Sequence, residues 1–354
     1  MAVSGVMNDI VSDEFLRDIW YFALPSDKLK VGQLLPMTFL NEPVVLGRLS
    51  NGVAFALRDI CPHRGIPLSD GRLVGDEVEC CYHGWRFDSS GTCICIPSLT
   101  DDQEMELSRI KINEYPLYES AGCIWIFVPS DFRIQTKTEI KSVIPSQFAR
   151  PAMVEKLIFP CHIDHAVIGL MDPAHGPFVH QSWWWRSRKS IHKKSKKFGP
   201  SELGFSMLRH TPSSNSLAYK ILGAEITTEI SFKLPGIRME HIEAGRNTLI
   251  GLTTVTPLTS NSTMIWHMVY WSVPYLSLVR PVLRPFLKRF LRQDRDIVKK
   301  QQRGLKHNPD LLLVNDSDVQ AKWYFRLKKA YAESKQNKEA FINPIKATTL
   351  EWRS

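Results

Sequence analysis

Two short stretches, "CPHRG" from Cys61 and "CCYHG" from Cys80, constrain this chain more than any other feature of its 354 residues. Each sets a cysteine and a histidine on a tight turn closed by a glycine, Gly65 or Gly84. The spacing is Cys61-x-His63, sixteen residues, then Cys80-x-x-His83. Two such loops can clamp one inorganic group, each offering a thiolate and an imidazole, so the fold around them must bring the two turns together. Five of the seven cysteines lie between positions 61 and 95, often beside histidine, which points to metal rather than disulfides.

Two thiolates with two imidazoles are the ligand set of a Rieske [2Fe–2S] centre, in which histidine replaces cysteine on one iron. A structural zinc site is the competing reading. Zinc fingers, however, usually pair Cys with Cys and His with His rather than mixing them at both knuckles. Cys81 competes with Cys80 on paper. Adjacent residues in an extended loop point opposite ways, and C-x-x-H lets the chain turn between ligands, so Cys80 is the better ligand and Cys81 a packed thiol. Cys93 and Cys95 are expected to pack in the following hairpin.

Composition is that of a soluble globular protein, 44% hydrophobic and 23% charged, and the length suits two domains. No run reaches the roughly 18 apolar residues of a membrane span. The start, "MAVSGVMNDIVSDEFLRDIW", has acids where a signal peptide needs a basic end, so a cytoplasmic protein is expected. From about Trp20 to Val128 the text is strand-like, with "PVVLGRL", "VAFALRDI" and "GCIWIFV" separated by turn residues. The polar segment "PSDFRIQTKTEIKSVIPSQ" marks a boundary, giving domains 1–135 and 136–354. Beyond it "IDHAVIGLMDPAH" reads as a helix and a second run of strands follows. Further helices are expected from about Arg284 to Gly304 and over 317–337. Strands flanked by helices, without alternating βαβ units, make the second domain α+β.

A second constellation sits in "LMDPAHGPFVH", from Leu170. Asp172 and His175 are three apart and share a helical face, whereas His180 lies five beyond His175, about 140° away. The two histidines can reach one metal only if the helix breaks, and Gly176-Pro177 is the expected break. A mononuclear non-haem iron site needs two histidines and a carboxylate on one face, with positions open for O2. That carboxylate can be remote. In "PFLKRFLRQDRDIVKKQQRG" the stripe Phe286, Phe290, Ile297, Gln301 is interrupted by Asp294, an acid where an apolar side chain belongs. Such an acid is costly unless it is ligating or, as the alternative, paired with a basic neighbour. Asp296 falls among Lys288, Arg292 and Lys299 and needs no such reason.

Together the two constellations resemble the α subunits of Rieske non-haem iron ring-hydroxylating oxygenases. "CPHRGIPLSDGRL" and "CYHGWRFD" are similar to their Rieske domain, down to the His-Gly-Trp after the second knuckle. D-x-x-H-x-x-x-x-H, followed far downstream by F-x-x-x-D, is similar to their catalytic domain. The resemblance implies an all-β cluster domain and then a helix-grip, START-like α+β domain with an antiparallel sheet and flanking helices. It implies cluster ligation by Cys61, His63, Cys80 and His83, and Fe(II) ligation by His175, His180 and Asp294. Asp172 matches the acid that links the iron site to a Rieske histidine, here His83, of the neighbouring subunit in a head-to-tail homotrimer.

The activity implied is that of a terminal oxygenase. It would use O2 to hydroxylate or oxidatively demethylate an apolar, ring-containing molecule (aromatic, steroid-like or terpenoid). Electrons would come from NAD(P)H through a ferredoxin or reductase, and the short chain favours the α-only monooxygenase branch. The alternative from another class is a Rieske electron carrier without oxygenase activity. The chain departs from the family in two places: Cys81 stands where proline is usual, and Ile168 and Gly169 stand where asparagine is common at one or the other.

Three histidines and one tract remain. His162 and His165 precede the motif on the same predicted helix, where a hydrogen-bonded core role is expected, and His267 in "MIWHMVYW" could line the pocket. Trp183 to Trp185 lead into "RSRKSIHKKSKK", with seven Lys/Arg and no acid. The tract reads as core tryptophans before a solvated loop, as a face for an acidic ferredoxin, or as a contact with an anionic membrane. "PYLSLVRPVLRPFLKRFL" has the same apolar-basic character, which keeps peripheral membrane contact and a hydrophobic substrate in view. A net charge of +9 without any nucleic-acid motif argues against nucleic acid as partner.

Overall fold

In the computed structural model of the chain, residues 14–133, 143–181, 188–212 and 226–354 are described. Arg17–Ala149 forms one compact unit, and Arg150–Ser354, with the residues before Arg17, forms another. The boundary expected at 135/136 lies outside the described residues.

Among the described residues the first unit is built of strands, joined by loops and three single-turn 3-10 helices, as its short β-rich runs require. β1 (Ile19–Pro25) pairs with β10 (Cys123–Val128), which pairs with β9 (Leu117–Ser120). β2 (Leu34–Phe39), β3 (Glu42–Arg48) and β4 (Ala54–Arg58) make a second sheet. The third contains β5 (Arg72–Val74), β6 (Glu77–Glu79), β7 (Arg86–Phe87) and β8 (Cys93–Cys95). The Cys61 loop follows β4 and the Cys80 loop joins β6 to β7. Both cysteines belong to one apolar cluster with Val45, Leu57, Leu68, Val78, Phe87 and Cys93, so the core itself seats the two knuckles.

Among the described residues, the second unit is built on one antiparallel sheet of eight strands. They are β11 (Met153–Phe159), β12 (Lys193–Ser201), β13 (Gly204–His210), β14 (Ile226–Lys233), β15 (Ile237–Ala244), β16 (Asn247–Thr259), β17 (Ser262–Trp271) and β18 (Thr348–Arg353), in the order β11-β17-β16-β15-β14-β13-β12-β18. Among the described residues five helices accompany it: α1 (Ile163–Met171), α2 (Gly176–Val179), α3 (Pro274–Leu278), α4 (Arg280–Leu305) and α5 (Val319–Gln336). Gly236 marks where α1 lies on the sheet. A Cβ there would stand 2.8 Å from Val255 Cβ and 3.3 Å from Val167 of α1, so only glycine admits this approach. Trp323 of α5 packs on Phe198 and Phe205, and Tyr324 on Phe232.

α1 and α5 are also joined by charge. Asp164, fully buried, accepts from Tyr324 Oη (2.6 Å) and from Lys328 Nζ (2.8 Å), and Lys328 is itself only 7% exposed. Burial pushes the Asp164 carboxyl up, but His162 and Lys328 beside it hold it below the usual carboxylate range. Lys328→Met leaves this carboxylate buried and uncompensated, and urea unfolding is expected to show a loss of about 3–5 kcal/mol.

The sequence reading places the buried stripe of α4 one step too far round. Leu291, Asp294 and Val298 are buried, whereas Phe286 and Ile297 are 46% and 42% exposed. Apolar residues recur at helical spacing on both sides of this helix, so contact with β11 and α1, not periodicity, selects the inner side. Asp294 stays on it.

Candidate metal centres

The two knuckles fold alike. The Cys61 amide donates to the Ile66 carbonyl (2.8 Å) and the Gly65 amide to the Cys61 carbonyl (2.9 Å). In the second, the Cys80 amide donates to Trp85 (2.9 Å) and the Gly84 amide to Cys80 (3.0 Å). Gly65 and Gly84 close the turns at φ of 75° and 71°, a conformation that glycine adopts without strain. Cys61 and Cys80 are buried, His63 is half-buried and His83 is exposed. The two imidazoles lie 4.5 Å apart, centroid to centroid, and Trp85 stacks on His63 at 4.6 Å.

Burial, reinforced by the neighbouring Cys80 thiol, pushes Cys61 up to about 11 against the amides of His63 and Arg64. Two thiols in apolar surroundings become thiolates readily only beside a positive centre. Two sulfurs inside and two imidazoles outside fit a [2Fe–2S] cluster of mixed ligation. Cys81, expected as a packed thiol, is exposed instead. Its neighbour Cys80 takes the inward direction, and the next residue along the loop faces out. Cys93 is buried in the β8 hairpin and Cys95 half-buried.

The second constellation breaks its helix at a different proline from the one expected. α1 ends at Met171, and Asp172 leaves helical geometry at ψ 118°. Pro173 is the cause, because its ring disfavours helical backbone in the residue before it. Gly176-Pro177 instead starts α2, where proline in the first turn has no amide to miss. Asp172 and His175 therefore share no helix. The Ala174 amide donates to Asp172 Oδ1 (2.7 Å), and this local turn brings His175 Nδ1 to 3.5 Å from Asp172 Oδ2.

His175 precedes α2 and His180 follows it, and this single turn sets their Nε2 atoms 3.1 Å apart. α4 brings Asp294 Oδ1 to 3.0 Å from His180 Nε2 and 3.6 Å from His175 Nε2. The three donor atoms lie within 4.8 Å of one another and could hold one metal ion. His180 is held from behind, with Nδ1 3.1 Å from Gln293 Oε1 and its ring stacked on Phe290 at 3.7 Å. Each imidazole turns Nδ1 to an outer oxygen and Nε2 inward, the orientation a metal ligand needs. Burial alone would lower His175, but Asp172 and Asp294 override it and raise the group to about 9. Burial likewise pushes Asp294 up, while His175 and His180 hold it below the usual carboxylate range. Two imidazoles with an ionised carboxylate suit Fe(II) with open positions.

A cavity of about 300 Å³ adjoins this site, lined by Asp172, His175, Asp294, His165, Gln301 and Asp318 among apolar side chains. Ile168 and Gly169 line it too. His165 departs from expectation, because its buried Nδ1 has no hydrogen-bond partner among the described residues and burial lowers its pKa. His162 is the N-cap of α1, accepting from the Asp164 amide (3.3 Å).

Register decides the face of His267, which alternation could not. Glu155, His267, Thr253, Arg238 and Phe232 stand opposite one another across β11, β17, β16, β15 and β14. Arg284 of α4 meets Glu155 at 2.6 Å, so this row faces the helices. His267 Nδ1 lies 2.8 Å from Thr253 Oγ1, and burial with Arg238 nearby pushes the imidazole down to about 4, leaving it neutral. Gln293, Arg238 and the stacking role of Phe290 escape the sequence reading, since a polar residue on a long helix or strand carries no spacing signal. Trp183 to Trp185 lie outside the described residues. Lys193–Lys197, expected in a solvated loop, belong to β12, where Lys193 pairs with Glu351 at 2.7 Å.

Residues 19–116 match the Rieske [2Fe–2S] domain family, and such a domain implies a [2Fe–2S] cluster. Chlorophyllide a oxygenase of Chlamydomonas reinhardtii is 31% identical over 184 residues, 51% of this chain and 27% of that protein. The oxygenase component of dicamba O-demethylase from Stenotrophomonas maltophilia is 33% identical over 173 residues, 48% of each. The chain thus spans less than half the length of these relatives. The crystal structure of dicamba monooxygenase bound to dicamba shares the fold, with a TM-score of 0.71 at 21% identity over 92% of this chain and 98% of that one. By the sequence match in its first unit and the fold match over most of its length, the chain carries a Rieske [2Fe–2S] domain at 19–116 and has the fold of dicamba monooxygenase.

Proposed function

We propose that the chain is the terminal oxygenase of a Rieske non-haem iron system, hydroxylating or oxidatively demethylating an apolar, ring-containing substrate. The observation that carries this reading is the convergence of His175, His180 and Asp294 within 4.8 Å in a chain that also has a Rieske domain. A pure electron carrier would have no use for that second set. Relatives named for chlorophyllide a, 4beta-methylsterol and dicamba support a ring-containing substrate. In this reading the cluster domain is 1–135, with Cys61, His63, Cys80 and His83 as ligands. The catalytic domain is 136–354, with Fe(II) on His175, His180 and Asp294. The cluster would supply electrons one at a time, from NAD(P)H through a ferredoxin or reductase, and the iron would activate O2.

The protein's own groups do the positioning. Asp172 orients His175 through Nδ1, and Gln293 and Phe290 fix His180. In a head-to-tail homotrimer Asp172 would also face His83 of the neighbouring subunit. No described helix is long and apolar enough to cross a membrane. A cytoplasmic enzyme, in peripheral contact with a membrane, fits an apolar substrate.

Iron analysis tests the reading. Three irons per chain, two in the cluster and one beside it, are expected of the oxygenase, and two of a carrier. Under anaerobic conditions, a true substrate should then perturb the ferrous site. Asp172→Asn is expected to retain both metals while coupled turnover falls about 10–100-fold, the usual cost of an outer partner to a ligand histidine. Near-normal product formation in that variant would end the bridging role.

A further inference from the structure

From Ser272 to Gln293 the chain holds five Lys/Arg (Arg280, Arg284, Lys288, Arg289 and Arg292) and no acid. This stretch folds as α3 and the first half of α4. Five of its large apolar side chains are turned to solvent: Leu278 is 83% exposed, Val282 62%, Phe286 and Tyr275 46% each, and Val279 42%. Tyr275 and Leu278 are three apart on α3, Val282 and Phe286 four apart on α4, so each pair shares one face of its helix, and Val279 stands at the junction between them. Isolated exposed hydrophobics need no explanation, but five large ones within twelve residues mark a candidate interaction surface.

We propose that α3 and the first half of α4 dock on an anionic lipid bilayer and bring a membrane-dissolved substrate to the iron site. Exposed apolar side chains and basic ones together select the bilayer. Arg284 is committed to Glu155 at 2.6 Å, whereas Arg289 falls among the exposed apolar positions and Arg292 beside them, and no acid interrupts the stretch. Basic side chains without an acid, set beside exposed aliphatic and aromatic ones, complement a uniformly negative headgroup layer. A second copy meeting the same face would set like charges against like. Asp294 follows Val282 by twelve residues on the same helix, about 18 Å along its axis, so the surface contact and the iron ligand move as one body. The route to iron rests on the oxygenase reading, whereas the docking does not.

The test is sedimentation of the full, metal-loaded chain with vesicles of phosphatidylcholine and phosphatidylglycerol in equal parts, and of phosphatidylcholine alone. The wild-type chain should bind the anionic vesicles and release in high salt. The double variant Leu278→Glu/Val282→Glu should bind at least ~10-fold less, and so should Lys288→Glu/Arg289→Glu. Both should keep the cluster spectrum, the oligomeric state and turnover of a water-soluble substrate. Absence of binding at low salt, or binding unchanged in Leu278→Glu/Val282→Glu, overturns the proposal. A change of oligomeric state with vesicle binding intact overturns it in favour of a second copy. Vesicle binding by a chain with only two irons would leave the docking standing and remove the oxygenase reading.

Discussion

Asp294→Ala is expected to remove the mononuclear iron and spare the cluster, so that iron falls from three to two per chain and turnover drops by more than ~10²-fold. Loss of an outer partner to a ligand already costs about 10–100-fold, and loss of the ligand itself must exceed that. The geometry explains why nothing replaces it. Asp294 Oδ1 is the charged oxygen that closes on both Nε2 atoms, at 3.0 and 3.6 Å, and the other acid at hand, Asp172, faces Nδ1 of His175 instead. Without Asp294 the site is two imidazoles 3.1 Å apart with no anion to balance a divalent cation. Asp294→Asn restores the shape but not the charge and should fall short for the same reason. Asp296→Asn on the same helix is the control, because that side chain is exposed and its partner is Arg295. Iron analysis with the visible spectrum separates the outcomes. Retention of three irons in Asp294→Ala would remove Asp294 from the site.

Which parts of this were legible in the residues follows from what kind of signal each carries. Both knuckles are local: a cysteine, a histidine and a glycine within five residues fix a turn before any tertiary contact exists. Asp294 was legible because burial of an acid is costly and leaves a mark in the pattern of a helix. The neighbours on its stripe were not, because α4 is apolar on two faces and only packing tells them apart. Pro173 and Pro177 stand four residues apart, and either could have ended α1. The outcome depends on backbone geometry before Pro173, which spacing between the histidines does not show. His267 and Arg238 come together only through pairing of strands that are distant in sequence, and no single strand encodes that register.

Cys80→Ser is expected to give a colourless chain with at most one iron and no turnover, and to weaken the first unit as well. Cys61 and Cys80 are 2% and 3% exposed inside the cluster of Val45, Leu57, Leu68, Val78 and Phe87, so whatever they bind also ties the β4 and β6–β7 loops to that core. Where ligands come together only in the folded chain, metal binding contributes directly to folding free energy. A serine hydroxyl at this position is a poor substitute for a thiolate, and a single missing ligand leaves Cys61 raised by burial toward its neutral form. Thermal unfolding of the variant should therefore show the first unit melting below the second, which carries its own core and the Asp164–Lys328 pair. Cys81→Ala provides the contrast. Cys81 is exposed beside a buried Cys80, and its removal should leave colour, iron content and melting unchanged. If Cys81→Ala bleached the protein while Cys80→Ser kept its absorption, the loop would have to be threaded with the other cysteine inward. The hydrogen bond from the Cys80 amide to Trp85 and the left-handed turn at Gly84 would then no longer describe the knuckle that holds the cluster.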